Sequence, residues 1–149
     1  MIKKGDKIVD FKLKDQNGIE RTNTEFLGKK LVLFFYPKDE SYGCTKEACA
    51  FRDAYADFKD YDCEVIGISQ GDVDSKSSFV QRNKLNFILL ADEGNNLRTA
   101  FGIKPDLFGL VPGRVTFIVD IEGIVQDVFN SQLNFAKHVQ NALEVIKKI

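Results

Sequence analysis

Apolar and polar residues alternate from Ile8 to Leu13, the pattern of a strand with one solvated face. Gln16-Asn17-Gly18 supplies turn chemistry, and Ile19 to Arg21 reads as a short returning strand. Leu31 to Tyr36 then forms an unbroken apolar run closed by Pro37, which predicts a central strand buried on both faces. After it the period changes to three and four: Phe51, Ala54, Tyr55 and Phe58 share one face of a helix predicted from about Cys44 to Tyr61. Cys63 to Ser69 is a second buried strand, ended by Gln70-Gly71-Asp72, and Asp74 or Ser75 is placed to cap a helix reaching about Asn83. Phe87 to Leu90 predicts a short strand and Asn95 to Phe101 a short helix. Val115 to Asp120 and Ile124 to Phe129 flank Ile121-Glu122-Gly123 as a hairpin. An amphipathic helix closes the chain over about Asn134 to Lys148, with Val139, Leu143 and Ile146 on its buried side.

Strands interleaved with helices predict an α/β fold, a three-layer sandwich around a central mixed β-sheet. With 149 residues and no repeat or low-complexity linker, residues 1–149 are expected to form one domain. The balance of 44% hydrophobic and 29% charged residues is that of a folded protein. A net charge of -1 argues against nucleic acid or an acidic lipid surface as partner, and the pairs Lys3-Lys4, Lys29-Lys30 and Lys147-Lys148 read as solvated surface. No apolar run is long enough to span a membrane. The N-terminus turns charged at once and carries no apolar signal region, so a reducing cytoplasm is the expected location. The three cysteines, odd in number and unevenly spaced, do not form a secreted disulfide framework. With one histidine and no closely spaced Cys-x-x-Cys pair, a structural zinc site lacks ligands.

Cysteine chemistry is therefore the candidate, and one segment is suited to it. From Phe34 to Cys49 the chain runs from a buried strand, through a polar loop, into the first turn of a helix. Reduction of a peroxide needs a thiolate, and Cys44 sits where unpaired helix N–H groups and the macrodipole favour negative charge. Gly43 lets the backbone come close, Ser41 can accept a hydrogen bond from a peroxide, and Pro37 stiffens the loop and limits water. The departing oxygen develops negative charge, so a cation is required beside it. Arg114, just before a predicted buried strand, is the candidate.

The pattern Pro37-x-x-x-Ser41-x-x-Cys44 resembles the peroxiredoxin active-site motif, with serine as a variant of the usual threonine. Its surroundings are similar to the peroxiredoxin Q branch, also called bacterioferritin comigratory protein. The similarity runs through Phe35 to Glu40, Gly43 to Asp53, Glu64 to Ser69, Leu90 to Gly94, Asp106 to Gly109 and Pro112 to Asp120. One departure is Tyr42, which occupies a place where the branch usually has proline. The resemblance implies a thioredoxin-like fold and a thiol peroxidase that reduces hydrogen peroxide and organic hydroperoxides. It implies a sulfenic acid on Cys44, with Arg114 beside the thiolate and no metal or organic cofactor. It further implies that Cys49, five residues on, resolves the sulfenic acid as an intramolecular disulfide, with thioredoxin or a similar dithiol as reductant. A monomer is expected. Rival readings are a one-cysteine peroxidase and a redox sensor or holdase on the same fold.

Other residues carry lesser expectations. Cys49 otherwise reads as a small core residue of the helix, and Cys63 as a buried apolar filler. Glu47 either orders the loop near the helix dipole or lies at the surface. Arg52 is expected to pair with Asp53 or Glu47, and His138 is expected at the surface.

Overall fold

The apolar run that begins at Leu31 lies in the middle strand of a five-stranded sheet. The computed structural model describes residues 1–106 and 108–149, so Leu107, within the Asp106 to Gly109 segment, lies outside the described residues. The elements are β1 (Lys12–Lys14), β2 (Glu20–Thr22), β3 (Lys30–Phe35), α1 (Tyr42–Asp60), β4 (Cys63–Ser69), α2 (Val73–Asn83), β5 (Ile88–Ala91), α3 (Asn96–Ala100), β6 (Val115–Val119), β7 (Val125–Asn130) and α4 (Phe135–Lys148). The sheet order is β5-β4-β3-β6-β7. Strands β3, β4 and β5 run parallel, while β6 and β7 are antiparallel to their neighbours, so the sheet is mixed as expected.

The two-residue period of β3 divides the core. Val32, Phe34 and Tyr36 face a cluster built with Ala48, Phe51 and Phe58 of α1, Phe79 of α2, and Val139, Ala142 and Ile146 of α4. Leu31, Leu33 and Phe35 face the opposite cluster, with Leu97 of α3, Phe101, and the N-terminal Ile8, Phe11 and Phe26. The outer layer on that side is thus built from one short helix and the N-terminal segment rather than from long helices. Phe34 stacks on Phe51 with ring centroids 4.4 Å apart, and it also crosses β4 at Gly67. A Cβ at residue 67 would lie 2.7 Å from the rings and methyls of Phe34 and Leu89, which explains glycine inside a fully buried strand.

Beyond shifts of a residue or so at several ends, three differences from the sequence reading bear on the fold. Ile8 to Leu13 is not one strand: the ladder covers only Lys12–Lys14. Ile8 and Phe11 are buried, but their N–H groups donate to Gly123 O and to Asn23 Oδ1 outside any ladder, so the alternation reflects burial without strand pairing. Helix α1 begins at Tyr42 rather than Cys44. Proline is favoured at this first helical position because its missing N–H has no partner there anyway, and tyrosine fits the same backbone. The cap of α2 is Asp72, whose carboxylate accepts from Ser75 N at 2.9 Å, rather than Asp74 or Ser75.

A buried ion pair ties α2 to the loop after β3. Lys76 Nζ donates to Asp39 Oδ2 at 2.7 Å, to Ser69 Oγ at 2.7 Å and to Gln70 O at 2.6 Å, so all three of its protons are used. Tyr36 Oη donates to Asp39 Oδ1 at 2.6 Å and Ser75 Oγ to Oδ2 at 2.7 Å. Burial lowers the Lys76 pKa and Asp39 opposes that shift. Removing one partner of a satisfied buried pair strands the other charge. Lys76→Met is therefore expected to lose about 3–5 kcal/mol of unfolding free energy in a urea titration. A midpoint equal to wild type would show that the clasp contributes nothing.

Candidate active site

The loop from Pro37 to Ser41 is fixed at several points before the helix starts. Pro37 is buried, Asp39 is held by the network just described, and Glu40, in the left-handed region with φ 68°, pairs with Arg82 at 2.8 Å. Ser41 stands in the N-cap position, where its carbonyl accepts the first helical bond from Thr45 N at 2.9 Å. Its hydroxyl donates to Lys38 O at 3.1 Å, which spends its one proton and leaves its oxygen lone pairs for an incoming donor. Cys44 follows in the first turn of α1 and is fully buried.

Arg114, immediately before β6, meets Cys44 across the loop. Its Nη2 lies 3.4 Å from Cys44 Sγ, Nη1 donates to Glu47 Oε1 at 2.9 Å, and Nε donates to Gln132 O at 3.0 Å. The guanidinium carbon lies 4.9 Å from the centre of the Phe135 ring, so an aromatic ring covers one face of the plane in which the hydrogen bonds lie. Gly43 is required by this closeness. A Cβ there would lie 2.6 Å from the Phe135 ring and 3.0 Å from Arg114 Nη2. Arg98 of α3 joins the two segments from behind, donating to Tyr36 O at 2.9 Å and to Gly113 O. Burial lowers its pKa to about 10, which leaves it charged at neutral pH.

Behind Arg114 lie Glu47 and His138, both fully buried. The surface alternative for Glu47 and the surface reading of His138 are thereby corrected. His138 lies on the apolar stripe of α4, one position before Val139 and a turn before Ala142, so the helical period carries it inward with them. Nδ1 lies 2.7 Å from Thr116 Oγ1 and Nε2 lies 2.7 Å from Ser131 O. Burial pushes the Glu47 carboxyl up to about 7 despite Arg114. Burial also lowers His138 to about 4, so at neutral pH its 3.4 Å approach to Glu47 Oε2 is not an ion pair.

The structure brings Cys44 and Arg114 into contact and sets Ser41 and Pro37 in the loop just before them. Cys49 is placed elsewhere: half-buried on α1, its Sγ lies 3.8 Å from Asn83 Oδ1 at the end of α2, beside an open cavity of about 540 Å³ lined by Glu40, Tyr42, Thr45 and Lys46. Neither it nor Cys44 is in a disulfide. Cys63 is buried, and burial pushes its thiol up to about 12, as suits an unreactive core residue. Arg52 pairs with Asp53 at 3.0 Å. Phe135, Arg98 and the Asp39–Lys76 clasp carried no sequence signal, because each acts through a partner distant in the chain.

Residues 4–128 match the AhpC/TSA family. Among curated relatives, the chloroplastic peroxiredoxin Q of Triticum aestivum is 45% identical over 148 residues, covering 99% of this chain and 68% of its own length. Among solved structures, the peroxidoxin BcpB of Mycobacterium tuberculosis superimposes with a TM-score of 0.91 at 35% identity, covering 100% of this chain and 99% of that one. The bacterioferritin comigratory protein of Xanthomonas campestris, solved in connection with its alkyl peroxide reduction activity, gives a TM-score of 0.85 at 28% identity over 93% of this chain and 90% of that one. The fold is thus the thioredoxin-like one of these proteins. The chloroplastic relative lends no support to a cytoplasmic location.

The two shifted groups have opposite effects on stability. Glu47, raised from 4.5 to about 7, contributes stability that is present at low pH and is lost as pH rises through 7. His138, lowered from 6.5 to about 4, contributes stability that is present above 6.5 and is lost as pH falls through 4. Glu47→Gln removes the first effect and keeps the second. Its melting temperature relative to wild type is expected to drop as the pH is lowered from about 7 to about 5. A difference that is constant with pH would mean that Glu47 is ionised throughout.

Proposed function

The chain belongs to the AhpC/TSA family, within its peroxiredoxin Q and bacterioferritin comigratory protein branch of thiol peroxidases, and on that premise we propose that residues 1–149 act as one peroxidase domain with Cys44 as nucleophile. The observation that carries this reading is the 3.4 Å contact of Arg114 Nη2 with Cys44 Sγ at a helix start. The Cys44 thiolate attacks the terminal oxygen of a hydroperoxide. A sulfur–oxygen bond forms, the O–O bond breaks, sulfur loses two electrons, and the departing alkoxide or hydroxide takes a proton. Arg114 holds the developing negative charge, Ser41 accepts a hydrogen bond from the peroxide O–H, and Pro37 keeps water from the thiolate. The alkyl peroxide activity attached to the Xanthomonas campestris protein supports organic hydroperoxides beside hydrogen peroxide as substrates.

Cys49 then displaces water from the Cys44 sulfenic acid to form a disulfide. Five residues of intact helix separate the two Cα atoms by roughly 8–9 Å. That exceeds the ~7 Å reach of a disulfide. The first turns of α1 therefore unwind in this step, releasing Cys49 from Asn83. Thioredoxin or a similar dithiol restores both thiols by exchange, and the electrons pass through sulfur alone, without a metal or organic cofactor. Cys44, Arg114 and Cys49 come from one chain, so a monomer suffices. With a net charge of -1 the reading includes no nucleic acid partner. Among the described residues no helix is long and apolar enough to cross a membrane. The cytoplasm is the compartment in this reading because the cycle needs a pool that keeps thiols reduced.

Peroxide consumption coupled to thioredoxin, thioredoxin reductase and NADPH tests the cycle. Wild type is expected to turn over, Cys44→Ser to be inactive, and Cys49→Ser to stall after one equivalent of peroxide. Undiminished turnover of Cys49→Ser would replace the disulfide by a one-cysteine cycle. An inactive, folded and reduced wild type would favour the redox sensor or holdase.

A further inference from the structure

Glu47 presents one carboxylate oxygen to Arg114, and the other, Oε2, is buried with no hydrogen-bond partner among the described residues. The atom facing it is Nδ1 of His138, 3.4 Å away. The remaining contacts of the imidazole fix its tautomer. Nε2 lies 2.7 Å from the Ser131 carbonyl oxygen, which can only accept, so Nε2 carries a hydrogen. In the neutral ring Nδ1 is then bare, and its one lone pair is open to a single donor, the Thr116 hydroxyl at 2.7 Å or a protonated Glu47 at 3.4 Å. An ionised Glu47 would therefore set two lone pairs against each other at 3.4 Å in a dry interior. A single proton between them turns that repulsion into a hydrogen bond.

We propose that Glu47 and His138 hold one proton between them in the peroxide-reactive protein, and that this proton leaves the charge of Arg114 to the Cys44 thiolate and the departing oxygen. The proposal rests on the peroxidase reading and deepens it. A protonated Glu47 still accepts from Arg114 Nη1 through Oε1, so the guanidinium keeps its position. Its charge, however, is no longer divided between two anions. Removing the proton places a second anion 2.9 Å from the same guanidinium and weakens its hold on the oxygen that leaves the peroxide. Glu47 and His138 are positioning residues in this account, acting through Arg114.

Among the described residues, the charge that faces the pair is that of Arg114. Arg114 faces the pair from the segment before β6, and Cys44 lies on the far side of that guanidinium. Strand β6 contributes the Thr116 hydroxyl, and β7 contributes Phe129, whose ring packs edge-on against the imidazole at 4.7 Å. Burial pushes the carboxyl up to about 7 and the imidazole down to about 4, so of the two groups the carboxyl is the one that holds the proton.

The test is the second-order rate of Cys44 oxidation by hydrogen peroxide, followed by stopped flow from about pH 5.5 to about pH 9. The wild-type rate is expected to fall by about tenfold on the alkaline side as the pair loses its proton. Glu47→Gln, whose amide stays neutral, is expected to lack the alkaline fall. His138→Asn offers an N–H to the carboxylate, favours its ionised form, and moves the fall to lower pH by about one unit. A flat alkaline limb in wild type, or a limb that neither variant moves, overturns the shared proton and leaves the peroxidase reading standing. No reaction of wild type with peroxide at any pH overturns both. Should the variants fail to fold, infrared titration of wild type decides. The carbonyl stretch of a protonated buried carboxyl is expected to vanish in step with the rate, and its absence at neutral pH contradicts the proposal.

Discussion

The guanidinium of Arg114 is the constraint on which the site depends. Its three nitrogens reach Cys44 Sγ, Glu47 Oε1 and Gln132 O, and its face lies against Phe135. These partners belong to α1, to the segment after β7 and to the start of α4, so one planar cation holds parts of the chain up to 70 residues from itself. A planar fork can make these contacts together, whereas a flexible ammonium cannot. The closeness also determines other residues. Gly43 has no side chain because Phe135 and Arg114 occupy its space, and Arg98 holds the backbones on which Pro37 and Arg114 are carried.

The proposed two-cysteine cycle places two opposed demands on the first turns of α1. Attack on peroxide needs the helix start folded, with Ser41, Cys44 and Glu47 in their places around Arg114. Disulfide formation needs the same turns open. The buried clasp between Asp39 and Lys76 fastens the loop to α2 just before the helix, and Asn83 at the other end of α2 contacts Cys49. The segment that opens thus starts from a fixed point at the loop, and the Cys49–Asn83 contact is the one it gives up.

Much of the fold was legible because burial writes itself as period. The all-apolar run of β3, the three- and four-residue steps of α1 and the hairpin of β6 and β7 are local consequences of which face is covered. Ile8 to Leu13 shows the limit of that signal, since it alternates for burial and yet pairs only from Lys12. At the site, Cys44, Ser41, Pro37 and Arg114 were visible through motif and position. The partners that hold them were not. Asp39 with Lys76, and Arg98 with Gly113, are joined by tertiary contacts between polar residues that have no periodic pattern. His138 was legible in principle, because the stripe of Val139, Ala142 and Ile146 includes it. Its polarity argued for the surface, but hydrogen bonds to Thr116 and Ser131 compensate its burial.

The central claim is that the forked, fixed charge of Arg114 makes Cys44 a peroxidatic thiolate. The most direct measurement is the rate of sulfenic acid formation on Arg114→Lys, which keeps the charge and removes the fork. The account predicts a fall of about 10²- to 10³-fold at neutral pH with the fold intact. A rate within about threefold of wild type, well under 1 kcal/mol of barrier, would contradict it.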